Sequence, residues 1–113
     1  MLRFELPWPD KRLSPNARVH WTQKAKATKA ARWVAFGRVL GHSLSPGNPF
    51  SVCYTFHPGT NRRRDLDNLI ASTKASTDGI AQALGVDDST FKLSYAIGEL
   101  RKPACVVVTV SHG

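Results

Sequence analysis

Two segments of the chain alternate apolar and polar side chains with a period of two, as strands with one buried face do. Leu2 to Leu6 is the first, and Phe50 to Phe56 is the second. The segments Phe91 to Leu100 and Ala104 to Ser111 are also predicted to be strands. Because only Arg101-Lys102-Pro103 separates the last two, the sequence predicts that they form a hairpin.

Two helices are predicted between these strands. Thr22 is the predicted N-cap of a first helix that runs to about Leu40 and stops at Gly41. A second helix is predicted from near Asp67 to Leu84, with Gly85 just beyond its end. At about 100° per residue, one apolar stripe of this second helix can face the core. Its members are Leu66, Leu69, Ile70, Thr73, Ile80 and Leu84.

The predicted element order is β-α-β-α-β-β, and no linker or internal repeat divides residues 1–113. The sequence therefore predicts one α+β domain, with helices packed against a four-stranded sheet that is mixed or mainly antiparallel. A single hydrophobic core is what a chain of this length can form.

Charge adds the first indication of function. Sixteen Lys and Arg residues against eight Asp and Glu residues give a formal net charge of +8. Such an excess favours a polyanionic partner, because contacts to phosphates release counterions.

The sequence has no apolar run of membrane-spanning length and no secretory signal pattern, so we expect a cytoplasmic protein without a membrane partner. Cys53 and Cys105 are expected to be reduced thiols within strands.

Acidic residues cluster inside this basic chain. Five of the eight lie between Asp65 and Asp88, and Asp65 and Asp67 directly follow three arginines, Arg62, Arg63 and Arg64. Carboxylates repel phosphate, but Mg²⁺ binds one or two carboxylates together with substrate phosphate and water. The arginines can hold the neighbouring phosphates in bidentate fashion. The structural alternative is that both aspartates cap the second helix and pair with the arginines.

Lys74 and Asp78 lie seven and eleven residues after Asp67, so the three side chains share a second stripe of the predicted helix. A lysine there could contact phosphate or stabilise developing charge. The structural alternative is a solvated pair between Lys74 and Asp78.

The run Arg62-Arg63-Arg64-Asp65-Leu66-Asp67-Asn68-Leu69, followed by a helix and Asp87-Asp88, resembles the RusA family of Holliday-junction resolvases. The segments Leu6-Pro7-Trp8-Pro9 and Ser14-Pro15-Asn16 are similar to the opening of that family. The resemblance implies a homodimer that binds four-way or related branched DNA and makes paired nicks with Mg²⁺, for which Mn²⁺ could substitute.

The resemblance also implies roles for single residues. The metal ligands fall on Asp65, Asp67 and Asp88, with Asp87 as an alternative to Asp88. The essential lysine falls on Lys74 when about three extra residues follow Leu69, whereas a direct count puts Ala71 there. The candidate DNA-binding residues are Arg62, Arg63, Arg64, Asn16, Lys11 and Arg12.

A straight helix of about 18 residues would separate its ends by roughly 27 Å. Asp67 and Asp88 would then be too far apart to share a metal ion. Either the helix is shorter or bent, or Asp88 comes from the second subunit of a two-fold dimer, which is the hypothesis we favour from the sequence.

Several other residues carry open alternatives. His57 is a candidate phosphate contact, and Glu99 is a candidate fourth acidic ligand. Trp8 and Trp21 could stack on unpaired bases or could cover the edge of the sheet. For the whole protein, the alternative to a nuclease is a non-catalytic protein that binds branched DNA by its structure.

Overall fold

The computed structural model describes residues 1–42 and 50–112. Its four strands form one sheet in the order β1-β4-β2-β3, and they are β1 (Leu2–Pro7), β2 (Phe50–His57), β3 (Lys92–Ile97) and β4 (Cys105–His112). Strand β4 pairs antiparallel with both β1 and β2, while β2 and β3 are parallel. This confirms a mixed, mainly antiparallel four-stranded sheet in an α+β domain.

The predicted hairpin between the last two strands is wrong. Strands β3 and β4 are not neighbours, because β2 lies between them. Parallel neighbours such as β2 and β3 need a crossover connection, and here the helices that follow β2 supply it. The connection from β3 to β4 crosses the end of β2, where Gly98 N–H donates to the Phe56 carbonyl and Arg101 N–H donates to the Pro58 carbonyl.

Three helices accompany the sheet: α1 (Trp21–Val39), α2 (Leu66–Ser72) and α3 (Lys74–Leu84). The predicted end of α1 is confirmed to within a residue, but its start is two residues earlier than predicted, because the N-cap is His20, whose Nδ1 accepts from the Thr22 amide at 3.2 Å. Gly85 ends α3 with a φ of 70°. Glycine reaches this left-handed conformation without steric cost, so the predicted stop is confirmed.

The second helix is not continuous, as the sequence predicted, but breaks between α2 and α3. The Ser72 hydroxyl donates to the Asn68 carbonyl at 2.8 Å, and the Thr73 hydroxyl donates to the Ile70 carbonyl at 2.7 Å. The Thr73 amide also bonds to Ile70, three residues back. Hydroxyls that bond to the preceding turn compete with the regular helix ladder and bend the axis.

The core lies between the helices and one face of the sheet. Its most deeply buried members include Val52, Tyr54, Phe56, Ile80, Val106, Val108 and Val110. The Tyr54 hydroxyl shares a hydrogen bond of 2.6 Å with Thr77 on α3, and burial raises its pKa above the ordinary value. Of the predicted apolar stripe, Ile80 and Thr73 are buried, but Leu66 is 38% exposed.

Helices α1 and α3 approach closely at Gly79. A Cβ built there would overlap the carbonyl oxygen of Arg32 and lie 3.2 Å from the amide nitrogen of Phe36. Gly79 therefore allows the backbones of the two helices to touch. Across residues 1–42 and 50–112, no helix has the length and apolar character that a membrane crossing requires.

Candidate functional site

The structure brings the proline-rich segment after β1 against the start of α2. Between them runs a groove of about 370 Å³, called here the basic groove. It is lined by Trp8, Pro9, Asp10, Lys11, Ser14, Arg62, Arg63, Arg64, Asp65, Asn68, Leu69 and Ser72. Four cationic side chains, from Lys11 and the three arginines, thus meet in one groove although about fifty residues separate them along the chain.

The three arginines of the groove have different surroundings. Arg64 donates to the Thr60 carbonyl at 2.8 Å and to the Arg62 carbonyl at 2.9 Å, and its guanidinium lies 5.5 Å from the ring centre of Trp8. It therefore fixes the loop before α2 against the N-terminal segment. The side chains of Arg62 and Arg63 are exposed and make no hydrogen bond or ion pair within the described chain, so their guanidinium groups are available to phosphates.

Arg12 and Asn16 lie beside the basic groove and not in it. Both line a neighbouring depression that shares Asp10, Lys11 and Ser14 with the groove. Arg12 forms an ion pair of 2.8 Å with Asp10 and also donates to Gln23. Hydrogen bonds from Arg12 lower the pKa of Asp10 to about 2. Asn16 is exposed, whereas Arg12 is largely engaged within the protein.

Asp65 is the N-cap of α2, with one carboxylate oxygen accepting from the Asp67 amide at 3.0 Å. The capping alternative is therefore confirmed for Asp65. No arginine within residues 1–42 and 50–112 forms an ion pair with Asp65 or Asp67, so that part of the structural alternative is wrong. Asp67 lies in the first turn, exposed, and within the same residues its carboxylate has no hydrogen-bond partner.

Lys74, the first residue of α3, lies between two carboxylates. Its Nζ donates to Asp78 at 3.0 Å and to Asp88 at 2.5 Å. The pKa of Asp88 lies below its ordinary value, chiefly because its carboxylate accepts from Lys74. The same contact, with a smaller contribution from Asp78, raises the pKa of Lys74. The side chain of Lys74 is 69% exposed, so solvent screens these pairs and they add little to stability.

The two late aspartates have separate tasks. Asp87 caps the 3₁₀ turn Asp88–Thr90, because its carboxylate accepts from the Ser89 amide at 2.9 Å. Asp88 instead directs its carboxylate to Lys74. Of the two alternatives for the late acidic residue, Asp88 is the one that lies beside another candidate site residue.

Asp88 does not lie where one straight helix from Asp67 to Leu84 would place it. Asp88 lies beside the first residue of α3, so the chain after Gly85 folds back along this helix. The separation of roughly 27 Å expected for one straight helix does not apply. The shorter helix with a chain that folds back is therefore what the structure shows, and the placing of Asp88 in a partner subunit stays a prediction.

Asp65, Asp67 and Asp88 are nevertheless not gathered into one cluster. Among the described residues, no group of three His, Cys, Asp or Glu side chains is arranged to hold a metal ion. The carboxylates that keep free oxygens are those of Asp65, which lines the basic groove, and of Asp67, two residues later in the first turn of α2. Two carboxylates are a usual protein contribution to a Mg²⁺ site that substrate phosphate and water complete.

Two further candidates have structural roles. His57 is buried, and its Nδ1 lies 2.9 Å from the Glu99 carbonyl oxygen, so the predicted phosphate contact is wrong. The Glu99 side chain is 74% exposed and lies 3.5 Å from Arg101, which also pairs with Glu5. Sequence reasoning missed Asp10 as the partner of Arg12, for which the short Asp-x-Arg spacing at a turn was the available signal.

Comparison with known proteins adds one relative. No family model matches the chain. A protein of Xylella fastidiosa (strain Temecula1 / ATCC 700964), described as an "uncharacterized protein", is 41% identical over 119 residues. The match covers 98% of this chain and 76% of that protein.

Proposed function

The chain belongs to the same family as the Xylella fastidiosa protein, and we propose that it is a Mg²⁺-dependent endodeoxyribonuclease that resolves Holliday junctions and related branched DNA in the cytoplasm. One observation carries this proposal. Asp65 lines the basic groove together with the unpaired Arg62 and Arg63, and the free carboxylate of Asp67 follows two residues later, in the first turn of α2. A protein that only binds DNA can use Asp65 as a helix cap, but it does not need a second, unpartnered carboxylate at Asp67. The resemblance to RusA resolvases supplies the substrate class.

Each residue of the site has a part in phosphodiester hydrolysis. Arg62 and Arg63 bind phosphates on either side of the scissile bond. Asp65 and Asp67 would hold Mg²⁺, which would polarise the scissile phosphate and lower the pKa of an attacking water. Lys74 would supply a further cation, and Asp88 holds the Lys74 ammonium by the contact of 2.5 Å. That ammonium can stabilise charge that develops on the phosphate oxygens.

Replacing Lys74 by methionine is expected to reduce the rate of junction cleavage by about 100-fold, because one stabilising cation is lost. The same change is expected to alter the free energy of unfolding by less than about 1 kcal/mol, since the ion pairs are exposed. Single-turnover cleavage with saturating protein is the measurement. Lys26→Met removes an exposed lysine from α1 and is the control. Equal rates for the two variants would remove Lys74 from the mechanism.

Paired nicks need two active sites, and a two-fold homodimer supplies them. The apolar surface beside α2 supports this part of the proposal. Leu66, Leu93, Ile97 and Leu100 are 38–51% exposed, and β3 is an edge strand. Exposed apolar surface on an edge strand is a common site of association.

The mass measured by light scattering after gel filtration is expected to be twice the 12.4 kDa of the chain. Ile97→Lys is expected to return the protein to the monomer mass, because a buried unpaired ammonium opposes association. Val19→Lys places the same charge on an apolar side chain that is 42% exposed elsewhere, and it should remain a dimer. A wild-type protein of monomer mass would contradict the homodimer.

The experiment that tests the proposed function is cleavage of a synthetic four-way junction, a linear duplex and an RNA duplex. Each substrate is incubated with Mg²⁺, with Mn²⁺ and with a chelator. Paired nicks in the junction alone, dependent on the divalent ion, are the expected result.

Other outcomes of that experiment would overturn the proposal in different ways. Tight junction binding without cutting by either ion would make the protein a structure-specific DNA-binding protein, with Asp65 acting as a helix cap. Equal cutting of duplex or RNA would leave a metal-dependent nuclease of another substrate class.

A further inference from the structure

A second cavity lies beside the basic groove, between α1, the segment that follows β1, and the junction of α2 with α3. Its volume is about 290 Å³ and most of its lining is apolar. Tyr54 and Val106 of the sheet, both buried, lie at its inner end. Three alanines of α1, at positions 27, 30 and 31, leave this space open, so we call it the alanine cavity.

The alanine cavity and the basic groove adjoin each other. Trp8, Pro9, Asp10 and Ser72 line both of them. A DNA strand whose phosphates bind Arg62 and Arg63 in the groove would therefore pass the mouth of the cavity. The cations attract the backbone of that strand, while the cavity offers apolar and aromatic surface to its bases.

We propose that the alanine cavity receives one unstacked base of branched DNA. This inference rests on the proposed function, because the basic groove must hold the strand. An apolar cavity of about 150 Å³ accommodates benzene, so the alanine cavity has room for a nucleobase. Bases at a branch point have lost a stacking neighbour, so extruding one costs less there than within a duplex.

Two polar groups at the cavity match the edge of a base. The Ser76 hydroxyl lines the cavity and has no hydrogen bond to any described residue. Asp10 also lines it, and its carboxylate, held by Arg12, keeps its negative charge because its pKa is about 2. A carboxylate has more acceptor positions than Arg12 fills, so Asp10 can still accept from a base amino or imino group.

Filling the cavity provides the test. Ala30 is an exposed residue at the cavity wall, and Ala30→Leu would place three further carbon atoms toward the space. Ala25→Leu makes the same change at an exposed position of α1 outside the cavity. In a chelator, where no cutting occurs, Ala30→Leu is expected to weaken four-way junction binding about tenfold and to leave linear duplex binding unchanged. Ala25→Leu should match wild type on both.

A second arm changes the DNA and leaves the protein as it is. A junction with abasic nucleotides at the branch point is expected to bind wild type about tenfold more weakly than the intact junction. Ala30→Leu should bind the abasic and the intact junction with equal affinity, because in this variant the leucine side chain already keeps the base out of the cavity. This arm does not depend on how well the variant folds.

The outcomes separate this proposal from the proposed function. Metal-dependent junction cleavage by wild type, with Ala30→Leu and the abasic junction both binding normally, would overturn the base site alone. A change in oligomeric state in Ala30→Leu, with unchanged DNA affinity per dimer, would assign the cavity to contacts between copies and would also overturn it. Failure of wild type to bind any DNA would overturn both proposals.

Discussion

Replacing Asp67 by asparagine is expected to lower the rate of junction cleavage by about 100- to 1,000-fold, an effect of the size seen when one preorganised electrostatic group is removed from an active site. Asparagine keeps the size of the side chain and removes the negative charge that holds Mg²⁺. Because the Asp67 carboxylate has no hydrogen-bond partner in the described chain, its neutralisation should cost at most about 1 kcal/mol, through weaker interaction with the α2 N-terminus.

Junction affinity is the second readout for Asp67→Asn. Loss of a negative charge beside the basic groove should leave binding unchanged or make it slightly tighter. Glu5→Gln, which neutralises an exposed carboxylate on β1, is the matched control and should cut at the wild-type rate. Cleavage by Asp67→Asn at the wild-type rate would show that Asp67 is not a metal ligand.

Replacing Gly79 by alanine is expected to lower the free energy of unfolding by about 2 kcal/mol. In an exposed helix the same change would be stabilising by up to about 1 kcal/mol. Here the new methyl group meets the backbone of α1 at Arg32 and Phe36, and neither can rotate away as a flexible side chain could. The two helices must separate, and the contacts between them loosen. Thermal unfolding should show a fall in Tm of roughly 8–10 °C.

Gly37→Ala is the matched control for Gly79→Ala. Gly37 also lies within a helix, but a Cβ there meets no atom within 4 Å beyond the neighbouring backbone of α1 itself. Alanine at position 37 is therefore expected to raise the free energy of unfolding by about 0.5–1 kcal/mol. If both variants were stabilised, the close approach of α1 and α3 at Gly79 would be wrong.

The strands and helix ends that the sequence predicts correctly are those that depend on a few neighbouring residues. The alternation in Phe50 to Phe56 and the glycine at position 85 act over a few residues, and the structure agrees with both. The order of the strands depends on contacts between distant parts of the chain. Nothing local to Arg101-Lys102-Pro103 distinguishes a hairpin turn from a connection that crosses the end of β2.

The candidate site was predictable to a similar degree. The acidic residues and their basic neighbours are visible in the sequence, because they are charged and close together. The sequence does not show that Arg64 has a structural role while Arg62 and Arg63 are free. That difference depends on the ring of Trp8, more than fifty residues before Arg64. The break at Thr73 has a local cause in two hydroxyl groups, but serine and threonine also occur in unbroken helices.

The position of β4 has a consequence for the order in which the protein can assemble. This strand lies between β1 and β2 in the sheet. Its Val110, close to the end of the chain, pairs with Leu2 of β1, close to the start. During synthesis β1, β2 and β3 therefore leave the ribosome before the strand that joins β1 to the other two. Until β4 is made, β1 has no partner in the sheet and β2 keeps one edge open. Such high contact order slows folding, and an unpaired apolar edge is where nascent chains associate wrongly.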